Sequence, residues 1–223
     1  MPNPATIRIK VWDPWIRMVH WGLVGLLGGL WWSGKTGRLD LHMTLGHCVL
    51  ALLLFRLAWG FVGSDTARFR AFLRSPMAAF GHLRHLFHRA PDTEIGHNAA
   101  GGWMVLVLLL VLLTQAVSGL FADDLIFTRG PLAGYVSGNT SDWATWIHLR
   151  NFNLILVLAA LHILAVLIYA LGRGQDLVRP MVTGVKRLPA SLPVRAPRLG
   201  SPLLAVLLLL AAGAAVWGIS RLG

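Results

Sequence analysis

The stretch that decides the fold runs from Ile147 to Leu171 and reads IHLRNFNLILVLAALHILAVLIYAL. It is apolar along most of its length and long enough to cross, as a helix, the roughly 30 Å hydrocarbon core of a bilayer. His148 and His162 interrupt it fourteen residues apart, which is close to four helical turns. Both imidazoles therefore lie on one face of a helix, about 21 Å apart along its axis. We predict a membrane helix that carries one histidine near each membrane face.

The chain as a whole is also strongly apolar, because hydrophobic residues make up 56% of its 223 residues. Since lipid leaves unpaired backbone groups without partners, and the pattern lacks the alternation of a β-barrel, the predicted fold class is all-α, an integral membrane helical bundle. Asp13 and Pro14 suit the N-cap and the first position of the first helix. The chain predicts five spans, at Trp15–Ser33, His42–Gly63, Gly101–Phe121, Ile147–Leu171 and Pro202–Ser220.

The spans suggest one membrane domain with an addition at its end. Residues 1–187 form the predicted four-helix domain, residues 188–201 a linker rich in Pro and Arg, and residues 202–223 an additional transmembrane helix. The polar segments between spans are too short for a soluble catalytic domain.

Orientation follows from the basic residues, which concentrate on the cytoplasmic side of membrane proteins. We therefore predict a multi-pass membrane protein, with the N-terminus in the cytoplasm and the C-terminus on the outer side. The net charge of +11 is then a topology signal with some affinity for anionic lipid, not a sign of nucleic-acid binding. The predicted inner segments hold Arg8, Lys10, Arg17, Arg68, Arg70, Arg74, Arg84, Arg89, Arg173, Arg179, Lys186, Arg187, Arg195 and Arg198, and the outer ones only Lys35, Arg38, Arg129 and Arg221.

Two further spans add one histidine each, His20 and His47. Their depths pair His47 with His148 near the outer face, and His20 with His162 nearer the cytoplasm. Four inward imidazoles suggest two haems, each held by two histidines. The single cysteine, Cys48, excludes the C-x-x-C-H attachment of a c-type haem, so both haems are predicted to be b-type.

Other interpretations of these residues stay open. His42 lies five residues before His47 and is the main rival for the outer position; we favour His47 because it is deeper in the span. A histidine at the end of a span can also be a purely interfacial group.

Two glycines and two arginines complete the predicted cofactor environment. Gly22 and Gly46 would let a flat macrocycle approach the helices, although close helix packing is the more common explanation for such glycines. Arg56 and Arg150 lie within or beside spans and need anions; a haem propionate suits Arg150, and lipid phosphate is the alternative for both.

Several motifs together resemble the bacterial cytochrome b561 and nickel–iron hydrogenase b-type cytochrome family. The similarity runs through residues 11–187 and leaves the fifth span outside. The motifs are VWDPWIRMVHW at Val11–Trp21, RLAWGFVG at Arg56–Gly63 with Ala67–Phe69, GHN at Gly96–Asn98 with Gly101 and Gly102, GLF at Gly119–Phe121 with Asp123 and Asp124, and LVRPMVTG at Leu177–Gly184.

The resemblance implies a diheme membrane cytochrome, an electron-transfer subunit more than an enzyme acting alone. It implies His20, His47, His148 and His162 as the haem ligands. Electrons would move between quinone and a periplasmic redox partner, such as a c-type cytochrome or a hydrogenase-like subunit. His97 of the GHN motif would be either a proton donor at a quinone site or part of a Gly-rich turn, and the fifth span a docking element.

Two other functions are carried as alternatives. Some relatives similar to this chain suggest an enzyme that oxidises superoxide and reduces quinone, which a basic outer funnel would favour. The outer charges here are mixed, with Asp40, Asp123, Asp124 and Asp142 against the outer basic residues, and this favours a protein partner. A haem-free anchor or transporter is the second alternative, but no inverted repeat or broken span supports it.

Overall fold

The computed structural model describes residues 6–84, 93–125 and 128–223, with the side chains of 82–84 left undescribed. The described chain is mostly helical. Its helices are α1 (Pro14–Lys35), α2 (Leu39–Val62), α3 (Phe69–Phe72), α4 (Pro76–Arg84), α5 (Ala99–Phe121), α6 (Gly138–Leu171), α7 (Val178–Thr183) and α8 (Pro202–Ser220), and its strands are β1 (Thr6–Lys10) and β2 (Val185–Pro189). Short 3₁₀ turns lie at Asp65–Ala67 and Ala133–Tyr135.

Within these residues, four helices are long and apolar enough to cross a membrane, namely α2, α5, α6 and α8. The prediction of a multi-pass helical membrane bundle is confirmed. Helix α1 coincides with the first predicted span and is 22 residues long, but it is not among these four. Trp, Gly and terminal basic residues such as Arg17 and Lys35 make it less apolar than the others. Whether α1 also crosses the membrane therefore stays a proposal.

Helix α6 is longer than the predicted span. It begins at Gly138 and contains 34 residues, so that its axis is about 51 Å long. The added first turns, GNTSDWATW at Gly138–Trp146, are polar. Hydropathy marks only the membrane-crossing part of a helix, and it misses a continuation into water.

The chain divides into two compact units that share the long helices. The first unit contains Met1–Met18, Ala58–Val107 and Ala159–Ala205, of which residues 1–5 and 85–92 lie outside the described chain. The second contains Val19–Leu57, Leu108–Leu158 and Val206–Gly223. In the second unit, Leu50 of α2, Leu120 of α5 and Val216 of α8 form a buried core. The last helix thus packs with the bundle.

The first unit holds a small antiparallel sheet, which the all-α prediction missed. Strand β1 pairs with β2 from Thr6 opposite Pro189 to Lys10 opposite Val185. Ile9 and Leu188 point to the buried side, while Arg8 and Arg187 are opposite each other and exposed. The first two residues of the predicted linker, Leu188 and Pro189, therefore belong to this strand.

The remainder of that linker is docked against the end of α2 and the turn after it. The backbone N–H of Arg198 donates to Asp65 Oδ2 over 3.0 Å, and the Asp65 N–H donates back to the Arg198 carbonyl over 3.0 Å. The N–H of Gly200 donates to Ser64 Oγ over 2.8 Å. A Cβ at Gly200 would lie 2.7 Å from the Trp59 ring, so only a glycine lets the chain pack this closely against Trp59.

Asp13 caps α1 as predicted. Its Oδ1 accepts from the N–H of Ile16 over 2.8 Å, and its Oδ2 accepts from the indole N–H of Trp59 over 3.1 Å. Asp13 is only 1% exposed and Trp59 is fully buried. One carboxylate therefore fixes the start of α1 and orients a buried side chain near the end of α2.

We expect Asp13→Ala to destabilise the protein by about 2–4 kcal/mol. The N-cap contributes roughly 1 kcal/mol, and leaving the buried Trp59 donor unsatisfied costs about 1–3 kcal/mol more. A lower melting temperature of the purified chain in detergent, followed by circular dichroism, checks this. Asp142→Ala removes an exposed carboxylate and serves as the control. Equal melting temperatures for the two variants would contradict the dual role of Asp13.

Candidate functional site

In the second unit, the imidazole rings of two histidines from different helices lie close together, with the edge of one ring toward the face of the other. The imidazole rings of His42, at the start of α2, and His148, in α6, have centroids 6.2 Å apart and planes 78° apart. Both side chains are partly buried. Two imidazoles that approach so closely inside an apolar bundle form a candidate site for a metal or a cofactor.

His148 is held by the last turns of α5. Its Nδ1 donates to the carbonyl of Gln115 over 2.9 Å, because a carbonyl can only accept. The Gln115 side chain donates in turn to the His148 carbonyl over 3.0 Å. Asn151, one turn further on α6, donates to Gln115 Oε1 and to the Val111 carbonyl, each over 2.9 Å. This network fixes the ring and leaves Nε2 of the neutral imidazole with a lone pair.

His42 is held in the same way by the end of α1. Its Nδ1 donates to the carbonyl of Leu30 over 3.0 Å, and the Ser33 hydroxyl lies 3.4 Å from the same nitrogen. Ser33 is fully buried. A Cβ added at Gly34 would lie 3.3 Å from this Nδ1. The Nε2 of His42 is again the nitrogen with a lone pair.

The two histidines are cradled by one repeated local pattern. Each Nδ1 donates to a helix carbonyl, lies 3.4 Å from a serine hydroxyl three residues later, and faces a glycine in the following position. Both serines also donate to that same carbonyl. The two copies are Leu30, Ser33 and Gly34 in α1, and Gln115, Ser118 and Gly119 in α5. The sequence analysis did not predict this pattern. The only sign of it in the sequence is a Ser-Gly pair near the end of two apolar helices.

This arrangement fits an iron held between two imidazoles. If a metal lay between the two rings, about 2 Å from each Nε2, the ring centres would be roughly 6 Å apart, and those of His42 and His148 are 6.2 Å apart. A metal-binding histidine also commonly donates its other ring N–H to a carbonyl, as both do here. Gly46, one turn after His42, has no described atom within 4 Å of a Cβ position. The face beside His42 therefore has room for a flat macrocycle.

The structure brings His42, not His47, to His148. Five residues along a helix rotate the side chain by about 140°, so His47 points away from the direction in which His42 faces His148. The preference for His47 rested on depth alone. The geometry therefore does not support the pairing of His47 with His148.

Exposed tryptophans surround this end of the second unit. Trp31 and Trp32 lie near the end of α1, and Trp143 and Trp146 in the added turns of α6. Trp is enriched at both membrane–water interfaces. This belt indicates that His42 and His148 lie close to a membrane boundary, as expected for an outer pair.

The other two predicted ligands are in different units. His20 is partly buried in α1, with its ring edge-on to Trp21 at 4.8 Å, and belongs to the second unit. His162 is partly buried in α6 and belongs to the first. The pairing of His20 with His162 therefore stays a prediction. Helix α6 is continuous, so His148 and His162 do share one face.

The arginines and glycines predicted around the cofactor have distinct surroundings. Arg56 is buried in α2, fourteen residues after His42 and therefore about 21 Å further along the same face. Arg150 is exposed, and its guanidinium lies over the Trp146 ring at 5.2 Å. A Cβ at Gly22 would contact Leu52 at 3.1 Å, so this glycine serves helix packing.

The GHN motif has a structural explanation in the first unit. Asn98 caps α5, since its Oδ1 accepts from the Gly101 N–H over 2.8 Å and its amide donates to the Tyr169 hydroxyl over 2.9 Å. The His97 ring packs between those of Trp12 and Phe72, with centroids 4.6 and 4.8 Å away. The motif thus forms the turn into α5.

The comparisons with known proteins agree with this picture. Residues 11–184 match the family model of prokaryotic cytochrome b561. No curated protein and no solved structure matches the chain.

Proposed function

Since the chain belongs to the prokaryotic cytochrome b561 family and is a membrane b-type cytochrome of electron transfer, we propose that it binds two b-type haems and connects quinone with a periplasmic redox partner. The single observation that carries the proposal is the approach of His42 and His148, each with its Nδ1 bonded to a helix carbonyl. We assign these two histidines, in place of His47 and His148, as the ligands of the outer haem.

The inner haem is assigned to His20 and His162, as the sequence predicts. Support comes from α6, where His162 follows His148 by almost four turns on the same face. Arg56 lies four turns after His42 on α2. Its guanidinium is therefore better placed for a propionate of the inner haem than for one of the outer haem. Helix α1 carries His20 and is proposed as a fifth membrane crossing.

A bound b-type haem supplies a one-electron iron couple, and the protein supplies ligation, orientation and a low-dielectric setting. Gln115 and Leu30 hold the two outer imidazoles in the tautomer that offers Nε2 to a metal. Ser33 and Ser118 add polar contacts on the Nδ1 side, and the apolar helices exclude water. Hydrogen bonding at Nδ1 raises the basicity of a ligating imidazole and thereby stabilises the oxidised iron.

We propose the inner membrane of a bacterium as the location, with the N-terminus in the cytoplasm. The outer pair then faces the periplasm, and Asp123, Asp124, residues 128–137 and the first turns of α6 form the docking face for a c-type cytochrome or a hydrogenase-like subunit. Asp123 there pairs with Arg129 at 3.1 Å, and Tyr135 is exposed. The quinone reacts at the opposite side, nearer His162.

The test is a pyridine haemochrome assay with reduced-minus-oxidised spectra of the purified chain, followed by addition of decylubiquinol. We expect two b-type haems per chain, both low-spin, and reduction of both by the quinol. His162→Ala should lower the haem content to one per chain. One haem in the intact chain would overturn the diheme proposal, and absence of haem would overturn the whole assignment.

A second arm addresses the alternative enzyme function. Rapid haem reduction by superoxide, coupled to quinone reduction without any protein partner, would support a stand-alone superoxide:quinone oxidoreductase. Slow reduction of the haems by superoxide, together with fast electron exchange with a small c-type cytochrome, would support the proposed electron-transfer function.

A further inference from the structure

A large cavity lies in the first unit, and its lining contains none of the proposed haem ligands. Its volume is about 750 Å³, and three segments line it, residues 65–74, 93–97 and 195–198. Each segment adjoins the end of a membrane helix, since α2 ends at Val62, α5 begins at Ala99 and α8 begins at Pro202. The cavity therefore opens where the membrane helices meet water.

Its lining is strongly basic. Two carboxylates, Asp65 and Glu94, face five arginines, which are Arg68, Arg70, Arg74, Arg195 and Arg198. Arg74 binds Glu94 through both nitrogens at 3.0 and 2.8 Å. Arg68 lies 3.8 Å from Asp65.

Three guanidinium groups remain without a carboxylate among the residues that the structure describes. These are Arg70, Arg195 and Arg198, all exposed at the cavity. The linker that carries two of them is fixed by the hydrogen bonds between Asp65 and Arg198 and between Ser64 and Gly200. The positive charge is therefore held in place around a cavity, and this favours an anion over a neutral quinone.

The chemistry of the lining fits a phosphate group beside an apolar surface. Guanidinium groups bind phosphate oxygens through paired hydrogen bonds. Phe72, which is buried, and the His97 ring that packs on it supply apolar wall.

The helix that follows the cavity indicates where the phosphate comes from. In α4, Met77 is 77% exposed and Phe80 is 55% exposed, and their spacing places them on one face. An exposed apolar face beside basic residues is typical of a helix that lies in the membrane interface.

We propose that this cavity binds the phosphate headgroup of an anionic membrane lipid, with Arg70, Arg195 and Arg198 as the recognition residues. The acyl chains extend along the apolar surface toward the bilayer. A free phosphate shares the same headgroup chemistry, but it gains nothing from the apolar residues of α4.

The test is a titration of the full chain in neutral detergent with dihexanoyl phosphatidylglycerol, with binding followed by native mass spectrometry. The variant R70Q/R195Q/R198Q should bind this lipid about tenfold more weakly. The matched control R8Q/R179Q/R187Q removes three exposed arginines from another surface of the same unit and should change affinity less than twofold. Dihexanoyl phosphatidylcholine should not compete.

Equal weakening in both triple variants would show diffuse charge attraction and overturn the site. Displacement of the lipid by inorganic phosphate at equal concentration would overturn the lipid assignment in favour of free phosphate. If the triple variant does not keep its helical circular dichroism, Arg195→Gln alone should weaken binding about threefold, and unchanged affinity would overturn the proposal.

Discussion

Replacing His42 with alanine is expected to abolish the low-spin signal of the outer haem, whereas replacing His47 leaves it unchanged. His42 faces His148 with ring centroids 6.2 Å apart, and its Nδ1 donates to the Leu30 carbonyl. His47 is rotated away from this direction by about 140° on the same helix. Without His42, the proposed outer haem would keep one protein ligand and become high-spin, or it would be lost.

The measurement is a pair of spectra on each purified variant, optical and electron paramagnetic resonance, with haem counted per chain. His42→Ala should lose about half of the low-spin signal, and His47→Ala is the matched control because it removes a histidine from the same helix. The opposite result, with loss only in His47→Ala, would restore the pairing that depth alone predicts.

Enlarging Gly119 is expected to have the second largest effect. A Cβ there would lie 2.9 Å from Cε1 of His148, closer than real Cβ contacts come, and 3.1 Å from its Nδ1, which is tighter than most. Gly119→Val must therefore push the imidazole out of its position beside Gln115 and Ser118. We expect loss of most of the outer haem, and an intermediate loss in Gly119→Ala.

Gly213→Val in α8 provides the control, because no described atom lies within 4 Å of its Cβ position. It makes the same change of residue in another membrane helix and should retain both haems. The haem content of the three variants, measured at equal protein concentration, decides between them. Full haem content in Gly119→Val would show that His148 does not need this close contact.

Hydropathy predicted the membrane helices well because each consists of a long apolar run. Four of the five predicted spans coincide with helices apolar enough to cross a bilayer. The polar start of α6 was missed, since nothing in hydropathy distinguishes a helix that continues into water from a loop. The sheet does not stand out in the sequence because Thr6–Lys10 and Val185–Pro189 are short and basic, although Ile7 and Ile9 alternate with Arg8 and Lys10.

The candidate site was predicted only in part. His148 follows from its place in an apolar run, but the choice between His42 and His47 depends on the direction in which each side chain points. Depth along a helix does not contain that information. The serine and glycine partners of the histidines lie on other helices, so only the packing of α1 and α5 against α2 and α6 shows them.

The pairing of β1 with β2 has a consequence for the order in which the molecule is made. Strand β1 is synthesised before its partner β2, which ends at Pro189, and the chain of α1, α2, α5 and α6 lies between the two strands. Thr6–Lys10 must therefore wait for β2 while α2, α5 and α6 are made, and such distant pairing is intrinsically slow. A nascent chain stalled before Val185 would expose an open strand edge, the kind of surface that promotes aggregation.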